Sequence, residues 1–343
     1  METPVKPEVF FNSLALSTPS DGDALQRFGA GVCLDVRGQL ELDKQIVEQY
    51  VSRAEHFPFP LIVLVDARTD PCHALVSAAD CVITDVTELG LLQAGIRRAP
   101  IAAMTLIRLS RAIESLSLES ALDMESLAFS ALQGGCEYSR YLSARKPLRA
   151  PVEEAGLPVL LERTNDELTI TLNRPAQRNS ISMRVRDALV EAFQLAGSDE
   201  SITRVILNAN GKCFSVGGEL TEFGTCPDTS TAHLVRTLAM PGRCLARIAD
   251  RCEAYVHGAC IGAGVELPAF AARVLASPNS YFQLPEIGFG LIPGAGGCVS
   301  ISRRIGRHRF NWLALSGKRI NANQALDLGL VDELADGPAY VCE

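Results

Sequence analysis

The sequence predicts an α/β protein with buried, mainly parallel strands. Three observations carry that prediction. Short apolar or alternating runs recur along the chain, at residues 32–36, 61–65, 168–172, 204–208, 253–256 and 274–276. Segments with apolar residues at helical spacing stand between them. Turns rich in glycine and proline separate the two kinds. Strands alternating with helices build layers that cover a sheet of buried strands.

In chain order, Val32-Cys33-Leu34-Asp35-Val36 reads as a strand, Asp43 to His56 as a helix, and Leu61 to Val65 as a buried strand. From Leu89 onward the pattern is helical, with stripes at Leu89, Leu92 and Ile96, at Leu106, Leu109 and Ile113, and at Ala121, Met124, Ala128 and Ala131. The Pro-rich stretch 146–158 reads as a linker between residues 1–152 and 153–343. Beyond it, Leu168–Leu172 alternates as a half-buried strand, and Ser182 is placed to cap a helix striped by Val185, Ala188, Leu189, Ala192 and Phe193. A strand at 204–208 follows, and Cys213 to Leu220 is expected to turn into another helix. The strand at 253–256 leads into the loop His257 to Gly264, with a helix expected from Val265. A strand at 274–276, a loop around Glu286 and a helix after Gly297 complete the series.

Composition excludes several function classes. Of 343 residues, 47% are hydrophobic and 21% charged, with a formal net charge of -8, which suits a folded chain and not a nucleic-acid footprint. The basic run Arg303, Arg304, Arg307 and Arg309 reads as a solvated helix face. The 11 cysteines include no C-x-x-C pair, which suits reduced buried thiols and not a zinc site. Cys213 and Cys260 read as core thiols and His257 as a structural residue. The N-terminus lacks a signal-peptide layout, and residues 254–276 carry His257, Glu266, Pro268 and Arg273, so no membrane span and a cytoplasmic location are expected.

Two glycine-rich turns, Ser215-Val216-Gly217-Gly218 and Gly262-Ala263-Gly264, each lie between a strand and a helix. Backbone N–H groups at such turns can converge on one oxygen and stabilise developing negative charge; a simple packing turn is the alternative. Glu266 sits in an apolar run and Glu286 follows in Gln283-Leu284-Pro285-Glu286-Ile287. Two carboxylates in one apolar pocket would separate their proton affinities and supply an acid and a base. The competing reading is a capping Glu266 and a surface-loop Glu286. Gly288-Phe289-Gly290 followed by Pro293 fails as a dinucleotide fingerprint.

Taken in order, these segments resemble the crotonase, or enoyl-CoA hydratase/isomerase, superfamily over about residues 160–335. The matching motifs are Leu172-Asn173-Arg174-Pro175 with Arg178-Asn179-Ser180, Phe214 to Leu220, His257 to Leu267, Leu291-Ile292-Pro293-Gly294-Ala295-Gly296-Gly297, Leu315 to Ile320 and Ala325 to Asp332. The resemblance implies a crotonase-like repeated ββα core preceded by an N-terminal α/β region ending in helices. It implies an oxyanion hole from the N–H groups of Gly218 and Ala263, with Glu266 and Glu286 as the catalytic pair. It also implies a water held by Gly294 N–H and CoA contacts at Arg178 and Val216. The expected chemistry is hydration of a 2-enoyl-CoA thioester, with CoA as part of the substrate and no metal or other cofactor. Isomerisation, or a cofactor-independent aryl-acetyl-CoA dioxygenation, is the alternative reaction, and a non-catalytic assembly partner the alternative class. A homotrimer or hexamer is expected as well.

Three departures from the family pattern stand out. Ala263 replaces a glycine, and its methyl is expected to crowd the pocket or strain the turn. Ile248 to Glu253 replaces a Pro-rich lead. Only nine residues follow Leu334, where relatives continue into helices. The stretch Gly90 to Arg145 resembles that helical region placed ahead of the core. Residues 1–152 are therefore read as a degenerate copy replacing it, with a permuted tail as the alternative. No catalytic motif is visible there.

Overall fold

The computed structural model describes residues 3–15, 29–38, 44–70, 73–148 and 154–335. The expected linker falls partly outside these residues, as does the end of the short tail after Leu334. The chain opens with α1 (Pro7–Ala15), β1 (Val32–Asp35), α2 (Lys44–His56), β2 (Leu61–Leu64), α3 (Ala74–Ala78) and β3 (Cys81–Ile83). Four helices follow: α4 (Val86–Arg98), α5 (Pro100–Ile113), α6 (Leu118–Gln133) and α7 (Cys136–Ala144). Next come β4 (Val159–Thr164), β5 (Glu167–Leu172), α8 (Met183–Ser198), β6 (Arg204–Ala209), α9 (Thr229–Leu238) and α10 (Pro241–Ala246). The remainder is β7 (Cys252–Val256), β8 (Ala259–Ile261), α11 (Ala263–Glu266), β9 (Arg273–Ala276), β10 (Tyr281–Gln283), α12 (Gly297–Ile305), α13 (Arg307–Ser316), β11 (Ile320–Asn321), α14 (Ala322–Leu328) and β12 (Glu333–Leu334).

The main sheet has six strands in the order β12-β9-β7-β6-β5-β4, parallel except for the antiparallel β4–β5 pair. A second sheet of three strands, β11-β10-β8, stands at its side, and β1-β2-β3 form a separate parallel sheet. The α/β class is as the sequence predicts. Ser182 caps α8 by accepting from Val185 N at 3.4 Å, and Val185, Leu189, Ala192 and Phe193 are buried.

Several local expectations need correction. The segment after Gly218 forms only a 3₁₀ turn, Leu220–Glu222, because Gly224 adopts φ 81° and its Cα lies against Leu142, where a Cβ would come within 2.8 Å of the side chain. The helix at Val265 starts two residues earlier and lasts one turn, because Pro268 cannot continue it. Part of the loop after His257 is strand β8, too short to show alternation. On α6, Ala121, Leu122, Glu125, Ser126, Ser130 and Leu132 are buried while Met124 is exposed, so the third stripe is rotated and has a carboxylate in it. Nor is the arginine run fully solvated: Arg304 pairs with Asp332, and Arg307 points toward Asp80 at 3.5 Å.

One continuous hydrophobic core joins the helices of residues 86–144 to the main sheet region. Leu92, Ile96, Leu106 and Leu122 share it with Phe193, Leu207, Cys298 and Phe310. The approach of α4 to α13 depends on Gly95, where a Cβ would lie 1.9 Å from the Leu315 carbonyl oxygen. A second cluster, including Phe10, Phe11, Tyr50 and Phe57, belongs to the small N-terminal sheet. The two bodies are tied by Asp80, which is 0% exposed; it accepts from Arg111 Nη2 at 2.6 Å and Nε at 2.8 Å, and from Leu61 N at 2.8 Å. Asp80→Ala strands the Arg111 charge and is expected to cost about 3–5 kcal/mol in urea unfolding. A loss below about 1 kcal/mol would show the pair to be dispensable.

Candidate active site

The two glycine-rich turns lie side by side. Phe214 N donates to His257 O at 2.7 Å, Ser215 N to Ala259 O at 3.1 Å, and Ile261 N to Ser215 O at 3.0 Å. The backbones approach so closely that a Cβ at Gly264 would lie 2.5 Å from Ser215 O, and one at Gly217 2.6 Å from Ile261 O. Gly262 turns the chain with φ 52° and ψ -121°, a conformation that suits glycine, and Ala263 then opens α11. Ala263 is not among the residues of positive φ. Its methyl is buried, and the expected strain is absent because Gly262 absorbs the turn. Among the described residues, neither Gly218 N–H nor Ala263 N–H donates a hydrogen bond. Both therefore remain available to an oxygen placed between the turns.

Gly262 also lies against the second carboxylate, since a Cβ there would be 2.6 Å from Glu286 Oε1. Gly262→Ala combines backbone strain with displacement of Glu286. It is expected to cost about 1–3 kcal/mol in thermal or denaturant unfolding and to lower activity further than stability accounts for. A variant as stable and active as wild type would contradict this geometry.

Glu266, on α11, is 2% exposed. Its Oε2 accepts from Ala295 N at 2.7 Å and Gly297 N at 2.9 Å, at the start of α12. Gly297 is needed there, because a Cβ would fall 2.4 Å from Glu266 Cγ. Burial pushes the Glu266 carboxyl up to about 7, while the amides of Ala295, Gly297 and Gly294 pull the other way. Glu286 follows β10 in a 3₁₀ turn, Glu286–Phe289. The residue is half-buried, but its Oε2 is sealed and has no hydrogen-bond partner. Burial first, then the charges of Glu266 and Glu125, hold the Glu286 carboxyl well above its ordinary range. Glu266 thus takes two amides at the start of α12, as a capping carboxylate does, and its charge bears on the Glu286 carboxyl.

Glu125 is a third buried carboxylate that the motif analysis did not single out. It comes from α6 and is 0% exposed; Oε1 accepts from Gly296 N at 2.7 Å and Oε2 from Cys298 N at 2.9 Å. Its signal in the sequence is a glutamate four residues after Ala121 in an apolar helix, the kind of residue that needs a partner when buried. The same helix supplies Phe129, whose ring lies where a Cβ on Gly294 would sit, at 2.3 Å. Helix α7 adds Tyr141, which meets Phe289 at 4.7 Å between ring centroids; Phe289 in turn meets Phe223 at 6.3 Å. Phe223 covers Gly218, its ring 3.0 Å from the position of a Cβ there. Arg145, following α7, donates to the carbonyls of Leu220 and Phe223 at 2.9 and 3.1 Å and holds that aromatic wall.

The two expected CoA contacts are adjacent. Arg178, exposed at φ 53°, accepts from Val216 N at 3.2 Å through its carbonyl. His257 Nε2 lies 2.8 Å from Gly211 O in a structural contact. Burial raises the Cys213 and Cys260 thiols, which makes them poor nucleophiles.

Comparison with known proteins places residues 162–337 within the sequence profile described as enoyl-CoA hydratase/isomerase. The 2,3-dehydroadipyl-CoA hydratase of Escherichia coli K12 is 33% identical over 182 residues, spanning 51% of this chain and 68% of that one. A trans-2-decenoyl-acyl-carrier-protein isomerase of Streptococcus mutans is 31% identical over 182 residues, spanning 52% of this chain and 69% of its own. Among solved structures, an enoyl-CoA hydratase of Mycobacterium smegmatis aligns at 31% identity and a TM-score of 0.49, covering 52% of this chain and 70% of that one.

Proposed function

Because this chain belongs to the enoyl-CoA hydratase/isomerase family, we propose that it hydrates a 2-enoyl-CoA thioester at the site between Gly218, Ala263, Glu266 and Glu286. The observation that carries the reading is the pairing of two differently buried carboxyls. Glu266 has amide donors that favour its charged form, and Glu286 has an unpartnered oxygen that favours its protonated form.

In the proposed reaction the thioester carbonyl accepts from Gly218 N–H and Ala263 N–H, which stabilise the enolate oxygen as charge develops. Glu266 takes a proton from water while the hydroxyl oxygen bonds to C3. Glu286 gives its proton to C2, and the proton on Glu266 returns to Glu286 through solvent, so one water is added overall. Gly294 N–H contributes to holding the water and the ionised Glu266. CoA enters as part of the substrate, with Arg178 and Val216 along its path. A homotrimer or hexamer completes the proposal, and light scattering that finds only monomer would remove that part.

The test is incubation with a panel of 2-enoyl-CoA and aryl-acetyl-CoA thioesters, following water addition, double-bond movement and oxygen uptake. Conversion of an enoyl thioester to its 3-hydroxyacyl product is expected. Oxygen uptake on aryl-acetyl thioesters, without hydration of any enoyl substrate, would replace this reading.

A further inference from the structure

The turn Ala295-Gly296-Gly297-Cys298 is held by two carboxylates at once. Glu266 accepts from Ala295 N and Gly297 N, and Glu125 accepts from the intervening Gly296 N and from Cys298 N. Successive amides therefore go to alternate glutamates. Glu266 lies within the core segment, whereas Glu125 comes from α6, which precedes that segment in the chain. Among the described residues, neither carboxylate has a salt-bridge partner. A buried anion without a cation must rest on hydrogen bonds, and each of these two uses the amides the other leaves.

We infer that Glu125 is a positioning residue for Glu266: it fixes the shared turn that orients the Glu266 carboxylate and couples the protonation of the two groups. The inference rests on the proposed role of Glu266 as base. The charge of Glu266 raises Glu125, so Glu266 ionises first, and a turn loosened by loss of Glu125 holds its amide donors less firmly against the Glu266 carboxylate. The groups facing the pair are Glu286, the Cys298 thiol on α12 and the Arg236 guanidinium on α9. Arg236 is engaged with Ser126, Ser130 and Gln133. Its charge moderates Glu125 without meeting either carboxylate as a salt bridge. Burial and the neighbouring Glu266 raise the Glu125 carboxyl, in line with that coupling.

The test compares full-length wild type with Glu125→Gln. With an enoyl thioester, Glu125→Gln is expected to lower kcat by about tenfold to a hundredfold with KM little changed, because the turn is loosened and the substrate contacts are not. The acid limb of its pH–rate profile should move to higher pH, because the loosened amides favour the ionised Glu266 less. A uniform loss of stability with an unmoved limb would reduce Glu125 to a packing residue and overturn the inference. A second readout needs neither substrate nor a Glu125 variant. In Glu286→Gln, ¹³C-carboxyl NMR should show Glu266, assigned by its loss in Glu266→Gln, titrating in two steps as Glu125 titrates beside it. A single-site curve would overturn the coupling. If two-step titration occurs but no enoyl thioester is turned over, the hydratase reading fails while the coupling stands.

Discussion

Glu266→Gln and Glu286→Gln are each expected to lower kcat/KM on the enoyl thioester by about a hundredfold to ten-thousandfold, the range for loss of a positioned base or acid. Each substitution preserves shape and removes one protonation state. Glu266 must be ionised to accept a proton, and its carboxyl is raised to about 7, so wild-type activity should climb as pH rises through that value. Glu286 must carry a proton, and its raised carboxyl keeps one until higher pH, which sets the falling limb. The rising limb should vanish from whatever activity Glu266→Gln retains. The same shifts bear on stability. A carboxyl raised in the folded state stabilises fully below its unfolded value of about 4.5, and that contribution is lost as pH rises through the folded value. Wild-type Tm should therefore fall from mildly acid to mildly alkaline pH more than the Tm of either glutamine variant. Near-wild-type rates in both variants would remove the pair from the chemistry.

Residues 153–343 expressed alone are expected to aggregate or to lose at least about a hundredfold in activity. Their core would lose the burial supplied by Leu92, Ile96, Leu106 and Leu122, and the α12 turn would lose its Glu125 acceptor. Each large apolar side chain returned to water costs about 1.5–3 kcal/mol, so a few exceed the whole stability of an ordinary domain. Residues 1–152 supplied in trans should restore part of the activity. A soluble fragment of full activity would show that helices α4–α7 are an appended unit and not part of the site.

Much of this arrangement is legible in the chain. Alternation at Leu168–Leu172 and the apolar run at 204–208 both mark strands of the main sheet, and Ser182 marks the start of α8 to the residue. The glycine-rich turns and two glutamates are visible because the chemistry confines residue choice there: Gly262 must turn the backbone, and Gly297 must make room for Glu266. Strand β8 is not legible, since three residues flanked by glycine carry no period. Glu125 and Phe129 are missed for another reason. Their partners, Gly296, Cys298 and Gly294, lie far along the chain, and the helical stripe drawn through Met124 hides a carboxylate one position away. The arginines at 304 and 307 fail the same way, because Asp332 and Asp80 meet them only in the folded chain.

The most direct measurement of the central claim is product analysis after wild-type protein is incubated with a 2-enoyl-CoA thioester in deuterium oxide. Protonation of C2 by Glu286 and hydroxyl addition at C3 through Glu266 predict a 3-hydroxyacyl-CoA carrying one deuterium at C2, formed at least about a hundredfold more slowly with Glu266→Gln under the same conditions. Recovery of unlabelled, unhydrated enoyl thioester across the substrate panel, from protein shown to be folded, would contradict the account.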